Sequence, residues 1–147
     1  MNVLVVLAAV LACVASESIA FKNCTKVTNP GSAASVSLSP CTSQPCNFKK
    51  GDTVIVTIDF TAQETSSTLK ATVYGIVFGI PVPFPLPNPD ACTNSNITCP
   101  IQKGQSYTYS SNFKVLDEYP DINVIVMWRL DGAVNDVCFT FPMSISG

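Results

Sequence analysis

The sequence predicts an all-β domain, an immunoglobulin-like sandwich of two antiparallel sheets, and three observations carry that reading. Apolar residues recur at every second position over several segments, and no stretch shows convincing helical spacing. Glycine-centred turns at Lys50-Gly51-Asp52, Lys103-Gly104-Gln105 and Asp131-Gly132 separate these segments. Six cysteines follow an apolar N-terminal leader, which is the composition of an exported domain stapled by disulfides.

The leader comes first. Val3–Val14 is an apolar run followed by small residues, and Ser18-Ile19-Ala20 fits the small-x-small pattern of signal-peptide cleavage. Residues 1–20 are therefore expected to be removed, with a cut after Ala15 as the competing choice, leaving a single domain over 21–147. The run is too short to span a bilayer, and no later segment is long and apolar enough. A soluble, exported protein is the expectation.

The strands follow in order. Ser35–Leu38 is the first candidate. In Thr53–Phe60, Val54, Val56, Ile58 and Phe60 share one face, while Thr53, Thr57 and Asp59 fall on the other. Leu69–Phe78 and Ser106–Lys114 are rich in β-branched and aromatic residues. Ile122–Leu130 is the clearest strand, with Ile122, Val124, Val126, Trp128 and Leu130 on one fully apolar face. Val137–Ile145 closes the series. Six or seven such strands without a helix bury their apolar faces by stacking two sheets about 10 Å apart. The supply of phenylalanine, valine and isoleucine either fills that space as ordinary core or lines a gap where the sheets part around a ligand.

The stretch GIPVPFPLPNPD at 79–90 breaks the pattern. Pro81, Pro83, Pro85, Pro87 and Pro89 occupy every second position, and each fixes φ and lacks a backbone donor, so an interior strand is excluded. Something other than sheet pairing is expected to hold it. Extended with period two, it would turn Ile80, Val82, Phe84 and Leu86 to one side as a stiff apolar lip along a sandwich edge. A preorganised rim of that kind suits a pocket entrance, and it also protects an edge from aggregation.

Removing the leader removes Cys13 and leaves Cys24, Cys41, Cys46, Cys92, Cys99 and Cys138. Six cysteines permit fifteen pairings, and the short spacings 41–46 and 92–99 favour local loops. No histidine and no CxxC spacing accompany them, so neither zinc nor any other cofactor is expected. Without histidine the Ser-His-Asp and Cys-His arrangements of hydrolases are excluded, and Asp117 and Glu118, adjacent on an extended chain, point to opposite faces. The protein is not expected to be an enzyme. With 8 Lys and Arg against 10 Asp and Glu and no basic cluster beyond Lys49-Lys50, it carries no nucleic-acid footprint. The sequons at Asn23 and Asn96 fit secretory export, with Asn96 the better acceptor because Asn23 adjoins a cysteine.

FKNC at 21–24, SPCTSQPC at 39–46, YGIVFGIPVPFPLPNPDAC at 74–92, CPIQKGQSYTY at 99–109, EYP at 118–120 and MWRL at 127–130 together resemble the ML (lipid-recognition) family, nearest its soluble sterol carriers. The likeness spans essentially the whole mature chain. It implies a sandwich whose sheets separate to form an apolar lipid pocket, with disulfides Cys24–Cys138, Cys41–Cys46 and Cys92–Cys99. Phe84, Val115 and Tyr119 fall on positions the family uses to contact sterol. Val82 and Pro120 neighbour them, and Trp128 and Phe139 are expected on the deeper wall or as plain core.

The implied function is binding and transfer of a sterol such as cholesterol by a monomer that meets membranes or a membrane sterol transporter only transiently. A broader carrier of fatty acids or semiochemicals is the alternative. A receptor-dependent immune role, known elsewhere in the family, would predict recognition of bacterial acyl chains. One departure is Tyr74, where the family's carrier has a histidine in a surface patch. Acid-triggered behaviour would therefore have to use carboxylates such as Asp117, Glu118 and Asp121.

Overall fold

The computed structural model describes residues 17–147, and among them the alternating pattern becomes ten strands in two stacked sheets. One sheet runs in the order β1 (Glu17–Ser18), β3 (Ala33–Ser39), β5 (Thr53–Thr61) and β8 (Ser106–Lys114). The other runs β2 (Lys22–Asn23), β10 (Asn135–Ser146), β9 (Ile122–Asp131), β6 (Lys70–Val77) and β7 (Ile80–Phe84), with β4 (Cys46–Lys49) also on β10. Every pairing is antiparallel except β4 with β10, which is parallel. The leader's apolar run Val3–Val14, with Cys13 and the alternative cut after Ala15, lies outside the described residues.

The core forms where the period-two faces meet. Val54, Val56, Ile58 and Phe60 of β5 and Val124, Val126, Trp128 and Leu130 of β9 are all buried. Their alternate neighbours Ile55 and Ile125 lie on the outer faces and are exposed. Burying an aliphatic or phenylalanine side chain contributes about 1.5–3 kcal/mol, so this doubly lined interior is the main source of stability. Pro142, within β10, sits opposite Ile125 in the gap where β2 has ended and β4 has not begun, so neither flanking strand needs a donor from it.

The proline stretch corrects one expectation, because sheet pairing does hold its first half. Ile80–Phe84 is an edge strand, with Phe84 opposite Val73, Val82 opposite Gly75 and Ile80 opposite Val77. Alternate residues direct their N–H groups to the same side of a strand, so the non-proline positions serve β6 while Pro81 and Pro83 face away from it. An edge strand has only one side to satisfy, and a proline at every second position is compatible with it. The side-chain expectation fares better: Phe84 and Leu86 are half-buried against the core while the prolines stay exposed.

Three disulfides pin the loops: Cys24–Cys138, which closes 114 residues of chain, and the local Cys41–Cys46 and Cys92–Cys99. Gly31 is required beside the first of them, because a Cβ there would collide with the backbone carbonyl of Asp136. Its own carbonyl accepts a hydrogen bond from Cys138 N at 3.2 Å.

Candidate functional site

At the end of the sandwich where β9 begins, the two sheets part around an apolar cavity of about 270 Å³. β6 contributes Val73, Tyr74, Gly75 and Val77, and β7 with its extension contributes Val82, Pro83, Phe84 and Pro85. β8 supplies Phe113, the loop before β9 supplies Tyr119 and Pro120, and β9 supplies Ile122, Val124 and Val126. Met143 and Ile145 of β10 complete the wall. No lining side chain is charged. Gly75 helps keep the space open, since a Cβ there would come within 3.3 Å of Val124 Cγ2.

An aromatic series runs from the mouth into the core. The Phe84 ring centre lies 5.3 Å from Tyr119 and 5.5 Å, edge to face, from Phe113. Phe113 lies 6.3 Å from Trp128, and Trp128 lies 6.2 Å from Tyr109. Pairs in this range hold each other by about 0.5–1.5 kcal/mol beyond area burial, so the mouth is an interlocked cluster. Tyr119 is anchored by its N–H to Leu116 O at 3.1 Å. Burial, and secondarily the Glu118 carboxylate, raise its phenol above the ordinary tyrosine value, so it stays neutral at the cavity wall.

Four of the seven expected contact residues line this cavity: Val82, Phe84, Tyr119 and Pro120. Val115 is buried just beyond it, at the sheet end, where its backbone exchanges hydrogen bonds with Gly51 N at 2.7 Å and Asp52 O at 2.9 Å. Trp128 lies one aromatic layer deeper than Phe113. Phe139 is buried opposite Trp128 and packs on Phe21 and Phe141, away from the mouth. Sequence reasoning missed Val73, Gly75, Val77, Phe113, Ile122, Val124, Val126, Met143 and Ile145 as lining. Ile122, Val124 and Val126 belong to the inward face that the alternation marks, but alternation does not say at which end the sheets separate.

A wider depression of about 490 Å³ lies between β2 and β4, lined by Ile19, Phe21, Pro45, Phe141 and Pro142 but also by Lys22, Gln44 and Thr140. The smaller cavity has far less polar lining, so it is the better candidate for an apolar ligand. At the opposite end of β9, Asp136 is fully buried. Its Oδ1 accepts from Gln63 N at 2.8 Å, and its Oδ2 has no protein partner. Burial pushes this carboxyl above the usual range, opposed by the Gln63 bond and aided by the nearby Asp131.

The Asn96 side chain is exposed on the loop closed by Cys92–Cys99, and its Nδ2 donates to Thr108 O at 3.2 Å. Asn23 is also exposed, but it lies in β2 beside the Cys24 disulfide.

Comparison with known proteins agrees with this architecture. The chain is 41% identical over 145 residues to the NPC intracellular cholesterol transporter 2 of Mus musculus, covering 97% of this chain and 95% of that one. It is 37% identical to the NPC intracellular cholesterol transporter 2 homolog a of Drosophila melanogaster, covering 93% and 97%. The crystal structure of a Niemann-Pick type C2 protein from Japanese carpenter ant superposes with a TM-score of 0.79 at 25% identity, covering 87% of this chain and all of that one. The ML domain family matches residues 18–145, and the chain belongs to that family.

Proposed function

We propose that this protein binds one sterol, cholesterol in the first instance, in the cavity between its sheets and carries it through an extracellular or lysosomal lumen as a monomer. The observation that carries the reading is the uncharged cavity walled by Phe84, Phe113 and Tyr119 in a chain similar, over nearly its full length, to named cholesterol transporters. The reaction is binding and exchange with no covalent step. A chain without histidine has no conventional triad, and its six post-leader cysteines are paired.

At about 270 Å³ the cavity is at the lower limit of ligand pockets, about 300 Å³. Sterol uptake therefore requires the mouth to widen, with Phe84 and Tyr119 moving apart. At roughly 0.3 kcal/mol per heavy atom, a sterol-sized ligand gains about 8 kcal/mol, a dissociation constant on the order of micromolar. That affinity holds the ligand in water and still releases it to an acceptor.

Delivery is assigned to the β6–β7 turn. Phe78 is 100% exposed, Ile80 64% and Val82 48%, which places an apolar tip directly beside the cavity mouth. Val82 belongs to both, so an acceptor bilayer or membrane sterol transporter that covered the tip would also cover the opening.

The narrowness of the cavity favours one alternative, a broader carrier of fatty acids or semiochemicals, because a single acyl chain needs less widening. Displacement of a fluorescent sterol by cholesterol and by a long-chain fatty acid separates the two. Competition by cholesterol at micromolar levels, without competition by the fatty acid, supports the sterol carrier. Equal competition supports the broader one, and failure of sterol to bind removes the first reading.

A further inference from the structure

We propose that Asn96 carries an N-linked glycan whose core sugars seat in the groove beside it, closing the open edge of β8 and keeping the protein monomeric. The four-stranded sheet ends at β8, so the side of that strand turned away from β5 has no strand to pair with. The loop closed by Cys92–Cys99 covers part of this edge: Ser110 N donates to Ser95 O at 3.0 Å, and Thr108 O accepts from Asn96 Nδ2 at 3.2 Å. Asn112 is in phase with Thr108 and Ser110, so its N–H and C=O also point outward, and among the described residues no loop group bonds to them. Ile55, opposite Asn112 on the outer face, is 44% exposed. An uncovered edge flanked by an apolar side chain invites pairing with a second copy of the chain.

A groove of about 470 Å³ lies at this point. Ile55 and Pro87 give it two apolar surfaces, and the rest of its lining is amide or hydroxyl, with Asn88, Asn94, Asn96 and Asn112 among the contributors and no charged side chain. The amides of Asn94 and Asn112 have no protein partner among the described residues. Such a lining suits a sugar, whose hydroxyl and acetamido groups need donors and acceptors and whose C–H face packs on aliphatic side chains. The outer face of the sheet continues the same chemistry, with Thr57 opposite Ser110 and Asp59 opposite Thr108. The Asp59 carboxylate is already engaged there, accepting from the hydroxyls of Ser35 and Thr108 at 2.6 Å each.

Asn96 supplies the sugar from within the groove itself. In the sequon Asn96-Ile97-Thr98, the amide and hydroxyl residues are exposed while Ile97 is buried and fixes the loop. One hydrogen on Asn96 Nδ2 serves Thr108, which leaves the other free for substitution. Transfer from a lipid-linked oligosaccharide diphosphate forms the Nδ2–C1 bond and breaks the C1–O bond to the diphosphate. The diphosphate leaves with the electron pair, and the amide gives up one proton. A sugar tethered at the groove has a high effective concentration there, so individually weak contacts suffice to seat it.

The full chain, secreted from cultured animal cells, tests the assignment. Peptide mapping is expected to find a glycan on Asn96, and peptide N-glycosidase is expected to release it at least ten-fold more slowly from the folded protein than after denaturation. Thr98→Ala removes the sequon without altering a groove residue, and that chain is expected to self-associate in sedimentation at concentrations where the parent is monomeric. Adding Ile55→Lys is expected to restore the monomer, because a charge on the outer face blocks edge pairing, whereas a misfolded chain would still associate. Absence of the glycan, equal release from folded and unfolded protein, a monomeric Thr98→Ala chain, or association that Ile55→Lys does not relieve each overturns the assignment. None of these readouts involves lipid, so the carrier reading stands or falls separately.

Discussion

Replacing Phe84 with alanine probes the cavity mouth directly. The ring is half-buried and touches Phe113 and Tyr119, at 5.5 and 5.3 Å between centres. Full burial of a phenylalanine contributes about 1.5–3 kcal/mol, and a ring covered on only part of its surface contributes less to the fold than a core phenylalanine, whose loss costs about 3–5 kcal/mol. Two aromatic pairs at about 0.5–1.5 kcal/mol each add about 1–3 kcal/mol to that partial burial. The domain should therefore stay folded. A bound sterol loses an apolar wall of similar size, about 1.4–2 kcal/mol, which corresponds to roughly 10- to 30-fold weaker binding. Titration with a fluorescent sterol, paired with thermal unfolding, measures both quantities, and Phe84→Leu should recover most of the affinity. A folded Phe84→Ala variant that binds sterol as tightly as the parent would refute the assignment of Phe84 to the cavity mouth.

Other perturbations reach other parts of the molecule. Because burial raises the Asp136 carboxyl above its unfolded value, its contribution to stability is largest below the unfolded carboxylate range and is lost as pH climbs through the raised value. Asp136→Asn should therefore gain on the parent in melting temperature more at neutral pH than in acid, and a pH-independent difference would contradict this. Replacing both Cys24 and Cys138 with serine opens a loop of 114 residues and should cost about 4–5 kcal/mol in denaturant unfolding. Phe78→Asp should leave sterol affinity unchanged and slow sterol transfer to vesicles, since the residue is fully exposed beside the mouth. Loss of the endoglycosidase-sensitive mass in Asn96→Gln, but not in Asn23→Gln, is expected from their places on the disulfide loop and in β2.

Much of the scaffold is legible in the chain because a half-buried strand records its environment at every second residue. Val54, Val56, Ile58 and Phe60 announce an inward face whatever they pack against, and the bounds of β5, β8 and β9 follow within a residue or so. β1, β2 and β4 are not legible, since two to four residues cannot display a period. They exist because β3 and β10 offer unpaired edges to nearby chain. Asp136 carries no sign of burial in the linear chain. The register shift between Asn135 and Val137 accompanies its complete burial.

The sequence by itself determined the class of the fold, the compartment chemistry of its cysteines and the likeness to a lipid-binding family. These depend on local periodicity, composition and short motifs. Only the tertiary structure decided where the sandwich opens. Val126 and Trp128 are two places apart on one apolar face, yet the first touches the cavity and the second lies beneath it. That difference comes from how far the opposing sheet stands away at each point along β9, a distance set jointly by strands remote in sequence. It likewise took three-dimensional pairing to show that Ile19 belongs to the core, because its partner Val36 gives no sign of the contact in the linear chain.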